Sequence, residues 1–312
     1  MAMEETAFEV SDILSGEAEV VNTSSGPIYV SIFGDRSKSP CLAYHEVGLN
    51  HRTCFHSLVV TSGPRSLLLK NFYVIFINAP GCEDSATPVS QQLQPLSLAT
   101  MSTQVYEIAQ HYKLRECLGL GVGNGGYILT HCAAEHPGLF AGLILISPSS
   151  QPAGWWEWGM GRVALTTLRT WGWAATARDY FAKRLFSPAT LQILGGDSDL
   201  VRAFHRDIQT LRPGAVAAYL SAVLYRPSLI PLIKKLKCRV LLIYGAEGLY
   251  ENDCMEISNA INKTRFALLE VQHAGVLVNE ERPTEMLSPL QLFLTALQLE
   301  GIGLGYAGEV GS

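Results

Sequence analysis

The stretch E-C-L-G-L-G-V-G-N-G-G-Y-I-L-T-H, Glu116 to His131, constrains this chain more than any other. An apolar, strand-like run ends in a crowd of glycines and passes at once into a helical pattern at Tyr127-Ile128-Leu129. A turn this abrupt brings strand and helix backbones so close that only small residues fit on either side of its apex. The chain is therefore expected to be organised around a strand, a sharp elbow and a helix, the repeating unit of layered α/β structures.

The sequence on either side has the same grammar. Ala18 to Phe33 holds two β-rich runs around Ser25-Gly26-Pro27, the pattern of a hairpin. Cys41 to Tyr44 reads as a short buried strand followed by the loop His45-Glu46-Val47-Gly48, and His51 to Leu69 as irregular or partly helical. Phe72 to Ile77 is a continuous apolar strand of the kind that a parallel sheet buries on both faces, and Cys82 to Pro95 is a polar loop. Leu98 to Tyr112 has helical spacing through Met101, Val105, Ile108 and Ala109. After the elbow come Leu143 to Ile146 and Ser147-Pro148, and there the alternation stops. From Pro152 to about Leu229 the patterns are helical, without a convincing strand. Strands return at Arg239 to Tyr244 and Phe266 to Val271, and a helix at Thr284 to Leu299 closes the order. The expected division is an N-terminal tail over 1–18, an α/β core over 19–150 and 231–300, a helical cap over 151–230 and a mobile tail over 301–312.

Composition narrows the function classes. Over 312 residues, 48% are hydrophobic and 16% charged, which excludes a disordered chain and leaves ample core. A net charge of -5 and a pI near 5.9 give no basic footprint for nucleic acid. Met1 to Val10 lacks the apolar region of a secretory signal, and no apolar run reaches the roughly 18 residues of a membrane span. A soluble, cytoplasmic protein is expected. The seven cysteines are scattered without a C-x-x-C pair, so they are expected to be core thiols, and neither a metal nor another cofactor is expected.

The elbow frame G-x-S-x-G of α/β-hydrolases carries its nucleophile at the apex. The corresponding residues are Gly121-Val122-Gly123-Asn124-Gly125, which put Gly123 at the nucleophile position. In that fold the acid commonly follows a late strand as G-x-x-D. Gly245-Ala246-Glu247-Gly248 follows R-V-L-L-I-Y, so the acid position is Gly248. The histidine usually stands in an A-G-H frame that ends in E-x-P. Ala274-Gly275-Val276 precedes Glu281-Arg282-Pro283, and Pro283 falls seven residues after Val276, which makes Val276 the histidine position. No residue at Gly123, Gly248 or Val276 can attack, orient or accept a proton. The expectation is an α/β-hydrolase fold, with a mostly parallel central sheet, helices on both faces and a helical cap, that is not an enzyme. His273 is a candidate displaced base, and Glu247, Glu251 and Asp253 are candidate displaced acids. His45 and Asn124 stand where the oxyanion-hole loop and the amide after the apex would be, so His45, Asn124 and His273 are the candidate cleft or ligand-binding residues.

With these residues read, the chain resembles the N-myc downstream-regulated (NDR) family, and most closely its plant-type members. The resemblance runs from about Pro27 to Leu299. It rests on Val47-Gly48-Leu49-Asn50-His51 with Cys54-Phe55, on Gly121-Val122-Gly123 with Gly126 to Leu129, on Gly142 to Pro148, on Leu236 to Arg239, and on Glu280 to Pro283 with Met286-Leu287. It departs from the family at Asn124-Gly125 and at Gln272-His273. The resemblance implies a non-catalytic signalling or adaptor protein with protein partners, among them heterotrimeric G-protein βγ subunits; peripheral membrane association is left open by the tryptophan segment, since that residue is enriched at membrane interfaces. Two alternatives come from the fold itself. One is a small-ligand receptor that uses the space freed by glycine at the apex, and the other a hydrolase with a rearranged triad. All five tryptophans, Trp155, Trp156, Trp158, Trp171 and Trp173, fall in one segment of the cap. They are expected either to glue cap to core or to form a recognition surface. Lys234 to Arg239 is a local basic cluster that reads as a solvated helix end.

Overall fold

Apolar runs that lack alternation need cover on both faces, and the chain supplies it by setting helices between parallel strands. The computed structural model describes residues 16–59, 66–83, 96–192 and 198–299; the expected C-terminal tail, most of the N-terminal one and most of the Cys82 to Pro95 loop lie outside them. Strands β1 (Glu17–Thr23) and β2 (Gly26–Phe33) form the expected antiparallel hairpin. Strand β3 (Ser39–Tyr44) leads through short helices α1 (His51–Cys54), α2 (His56–Val59) and α3 (Leu67–Asn71) to β4 (Phe72–Ile77). Helix α4 (Leu98–His111), strand β5 (Cys117–Val122), helix α5 (Asn124–Glu135) and strand β6 (Phe140–Ile146) follow.

Between β6 and the next strand the described residues carry helices and no strand. These are α6 (Trp155–Trp171), α7 (Ala175–Leu185), α8 (Pro188–Leu191), α9 (Asp199–Asp207), α10 (Pro213–Leu224) and α11 (Ile230–Ile233). Local signals set their starts: Ser187 and Ser198 cap α8 and α9, and Pro188 and Pro213 stand in first turns. The two ends of the insertion meet where the Leu229 N–H donates to the Ser150 carbonyl at 2.7 Å. Strand β7 (Arg239–Gly245), helix α12 (Glu251–Ala260), strand β8 (Phe266–Val271), helix α13 (Val278–Glu281) and helix α14 (Pro283–Leu299) complete the order.

The eight strands make one sheet in the order β1-β2-β4-β3-β5-β6-β7-β8, antiparallel where β1, β2 and β4 meet and parallel from β4 to β8. Every residue of β5 and β6 is buried, as their unbroken apolar character requires. β8 is half-exposed, because it is an edge strand.

The elbow lies at the C-terminal end of central β5, where Gly123 has φ 54° and ψ −119°. A Cβ on Gly121 would lie 2.6 Å from the Gly126 Cα, and one on Gly125 would lie 2.1 Å from the Tyr44 carbonyl oxygen. These close approaches fix the elbow against β3, and no side chain can be repacked to relieve them. Gly159 is the opposite case, a glycine inside α6 whose added Cβ meets nothing within 4 Å. Gly125→Ala is therefore expected to lower the melting temperature sharply or prevent folding. Gly159→Ala is expected to raise stability by about 0.5–1 kcal/mol through the lost entropy of a helical glycine. Thermal melts of the two variants check both signs.

Candidate functional site

The loop after β3 is held by a histidine whose two ring nitrogens are both in use. His45 Nδ1 donates to the Glu46 carbonyl at 2.9 Å, and its Nε2 accepts from the Ala79 N–H at 2.9 Å. That pairing needs the neutral ring, and burial lowers its pKa to about 4. Tyr219 donates its hydroxyl hydrogen to the His45 carbonyl at 3.0 Å, which ties α10 of the cap to the same loop. His45 thus positions the loop, with both ring nitrogens committed to backbone partners.

The loop so fixed turns Glu46 into the elbow. Its Oε2 accepts from the Asn124 backbone N–H at 2.5 Å, its Oε1 accepts from the Val47 N–H at 2.8 Å, and the Asn124 side-chain amide donates to both oxygens at 2.9 and 3.0 Å. A Cβ built on Gly123 would lie 1.6 Å from Oε2. The Glu46 carboxyl therefore occupies the volume in which a nucleophile at the apex would project. It also takes the amide after the apex and an amide of the loop after β3, the pair of donors that hold the oxyanion in this fold. Glycine at the apex does not enlarge a cavity here, since the volume it frees is filled by Glu46.

A buried carboxylate needs a counter-charge, and it comes from the cap. Arg184 at the end of α7 brings Nε to 3.8 Å from Glu46 Oε1 and donates through Nη1 to Glu157 at 3.1 Å. Glu157 also accepts from both terminal nitrogens of Arg226, at 3.0 and 2.8 Å. The Tyr250 hydroxyl accepts from the Asn124 amide at 2.8 Å and from Arg184, and its ring lies 5.3 and 5.5 Å from the Arg184 and Arg226 guanidinium carbons. Ser149 donates its hydroxyl hydrogen to the Asn124 side-chain oxygen Oδ1 at 2.9 Å. The four charges sum to zero. Burial pushes the Glu46 carboxyl above its ordinary range, opposed by Arg184 and by the amide donors. Burial acts on Glu157 in the same way, but Arg184 and Arg226 together overcome it and hold that carboxyl below its ordinary value.

The remaining candidates lie elsewhere. Val276 is buried and its N–H donates to the Leu185 carbonyl at 2.9 Å, while Gly248 sits in a turn closed by its own N–H on the Gly245 carbonyl at 3.0 Å. His273 is not brought together with His45 and Asn124: its side chain is 68% exposed and pairs with Glu247 at 3.0 Å. Glu251 is exposed in the first turn of α12, and Asp253 accepts from the Ser150 and Gln151 amides, pinning α12 to the neck of the cap. Trp155, Trp156 and Trp171 are 91, 80 and 73% exposed, Trp158 is at the border of exposure, and Trp173 packs edge-on to Phe181 and donates to the Leu211 carbonyl. Lys234, Lys235 and Lys237 are exposed. Sequence reasoning missed Glu46, Glu157, Arg184, Arg226 and Tyr250 as a unit. The available signals were a carboxylate beside the loop histidine and a lone acid within the tryptophan segment.

A profile of the Ndr family matches residues 18–304. The protein NDL1 of Arabidopsis thaliana is 32% identical over 285 residues, 90% of this chain and 82% of that protein. The pollen-specific protein SF21 of Helianthus annuus is 29% identical over 93% of this chain and 81% of its own length, and the protein NDRG2 of Danio rerio 26% over 93% and 75%. Among solved structures, an esterase from Thermogutta terrifontis superposes with a TM-score of 0.74 at 18% identity, covering 90% of this chain and 99% of that one. An enol-lactonase from Burkholderia xenovorans gives 0.74 at 16%, covering 89% and 100%. The architecture is thus that of the α/β-hydrolases, and the family match over nearly the whole chain places it within that fold: this chain belongs to the Ndr family.

Proposed function

We propose that this chain is a non-catalytic signalling or adaptor protein whose inherited hydrolase centre is closed by its own glutamate. The observation that carries the reading is the Glu46 carboxyl, which lies where a Cβ on Gly123 would fall. Loss of a nucleophile costs about 10⁶ in turnover, and what an emptied triad retains, about 10³ to 10⁴ over water, comes from oxyanion donors and binding. Here the donors already hold an internal anion, so that residue of activity is removed as well. The positions Gly123, Gly248 and Val276 support the same reading from the sequence. The protein then works by contact, in the cytoplasm, and the family resemblance points to heterotrimeric G-protein βγ as the partner.

The purified chain is expected to hydrolyse p-nitrophenyl acetate no faster than its heat-denatured form. Gly123→Ser is expected to stay at that background and to melt lower, because its side chain meets Glu46. Turnover that disappears in His273→Ala would overturn the non-catalytic reading. Capture of the chain by immobilised G-protein βγ is the expected result for the finer assignment, and no capture would remove that partner while leaving the rest.

One observation supports a ligand receptor as a second reading, at a place other than the expected cleft, since His45, Asn124 and His273 do not line it. An opening of about 460 Å³ lies between the α1–α2 segment, α9 and the loop before α13, lined by residues that include Arg52, His56, Phe204, Leu277 and Glu280. Burial pushes the Glu280 carboxyl up to about 7, although Ser57 and Asn279 donate to it. A carboxyl raised on folding binds more protons in the folded than in the unfolded chain between its ordinary value near 4.5 and 7, so stability falls as pH rises through that window. Melting temperature is expected to decline from pH 5 to 7. Glu280→Gln is expected to flatten the decline, and an unchanged slope in that variant would show that Glu280 does not titrate there.

A further inference from the structure

The closed centre leaves unexplained the most unusual surface of the molecule, the outward face of α6. The helix buries Gly161, Ala164, Leu165, Thr167 and Leu168, and its single acidic residue, Glu157, is turned inward onto Arg184 and Arg226. At 100° per residue the outward positions sort into two rows. One carries Trp156, Met160, Val163 and Trp171, all exposed; the other carries Trp155, Trp158, Arg162 and Arg169. The Arg162 guanidinium carbon lies 5.7 Å from the Trp158 ring centre. Three tryptophans at these exposures present on the order of 500 Å² of ring surface. Trp155 and Trp156 open the helix and Trp171 closes it, so this surface is spread along its length of about 24 Å.

We infer that this face is a peripheral membrane-docking surface that selects bilayers with anionic headgroups. Two further observations favour a bilayer over a protein groove. The face sets the Trp156 row on one flank and the row of Trp155, Trp158, Arg162 and Arg169 on the other, across Gly159, Thr166 and Thr170, and the one carboxylate of the helix, Glu157, is turned inward; an apolar flank opposite a basic one matches an apolar interior bounded by negative headgroups. This local sign is opposite to the net charge of the whole chain, −5. Secondly, the threonines between the rings do not need water. Thr166 donates to the Arg162 carbonyl at 2.9 Å and Thr170 to the Thr166 carbonyl at 2.9 Å. Their hydroxyls are satisfied within the helix, so the strip between the rows can leave water without orphaning them. Tryptophan is suited to the boundary, since its ring enters the acyl region while its N–H stays with the headgroups. The inference does not depend on the non-catalytic reading, because a membrane-bound hydrolase could carry the same face.

The test uses the full chain with phosphatidylcholine vesicles, with and without phosphatidylserine. Wild type is expected to co-sediment with the phosphatidylserine vesicles, with a blue shift of tryptophan emission, and to be released by salt. The triple variant Trp155→Ala, Trp156→Ala, Trp171→Ala should lose sedimentation with little change in melting temperature. Arg162→Ala with Arg169→Ala should keep the fold and weaken anionic binding on the order of thirty-fold, from about 1 kcal/mol per basic residue at such a surface. Wild type that ignores both vesicle types overturns the inference, as does equal binding to both. Vesicle binding that persists unchanged in the tryptophan variant overturns it too. If that variant instead loses capture by G-protein βγ while wild type binds no vesicles, the face is a protein-docking surface.

Discussion

The Glu46 carboxylate at the elbow is the interaction on which the remaining geometry depends. Taking a carboxylate out of water costs several kcal/mol even after relaxation, and the cost is recovered only if its lone pairs are satisfied and a counter-charge is close. Two backbone amides and the Asn124 side chain supply the first condition within the core. The second condition cannot be met by the core, because Arg184 sits at the end of a cap helix. Arg184 in turn brings a charge that Glu157 balances, and Glu157 calls for Arg226. One buried anion at the elbow therefore commits four charged side chains and the seating of the cap.

That commitment changes what the cap is. In a hydrolase of this fold a cap over the sheet can gate substrate, and gating requires that it separate from the loops below. Here the Val276 and Leu277 amides donate to the Leu185 carbonyl, and Glu281 accepts from Ser187 and from the Gly275 amide. A Cβ on Gly275 would lie 2.6 Å from the Ser187 nitrogen, so backbone meets backbone with nothing between. Lifting the cap would break these bonds together with the Arg184 contact to Glu46. The cap behaves as a layer of the core, and its outer helix becomes free to serve a surface.

The sheet was legible from the sequence because its signal is local. Phe72 to Ile77 and Arg239 to Tyr244 are apolar without alternation, and their six-residue length, β-branched and aromatic content and flanking turn residues select a doubly covered strand over a buried helix. The elbow was legible for the same reason, since its glycines answer to neighbours within the turn and to one strand beside it. The polar cluster was not. Glu46, Glu157, Arg184, Arg226 and Tyr250 span more than 200 residues and share no period or motif, so their meeting is a product of the whole topology. His273 shows the converse difficulty: it stands three residues from the expected histidine position, yet a positive φ of 54° turns it out to Glu247. Nor did the tryptophan segment declare its orientation, because glue and recognition surface share one composition until the helix is set on its neighbours.

The elbow keeps its unusual backbone although its apex is a glycine, and the bonds it makes account for that. In an enzyme the strained turn lifts the nucleophile and aims the following amide at the oxyanion. Glycine at the apex carries φ 54° without a Cβ penalty, so the turn costs this chain little. What the turn still delivers is the Asn124 N–H, aimed into the space above the sheet, where Glu46 meets it. An oxyanion hole and a structural anion site place the same demand on the backbone, a fixed donor pair facing a dry cavity. The chain satisfies that demand with a carboxyl of its own, and the geometry suited to a passing charge now holds a resident group between core and cap.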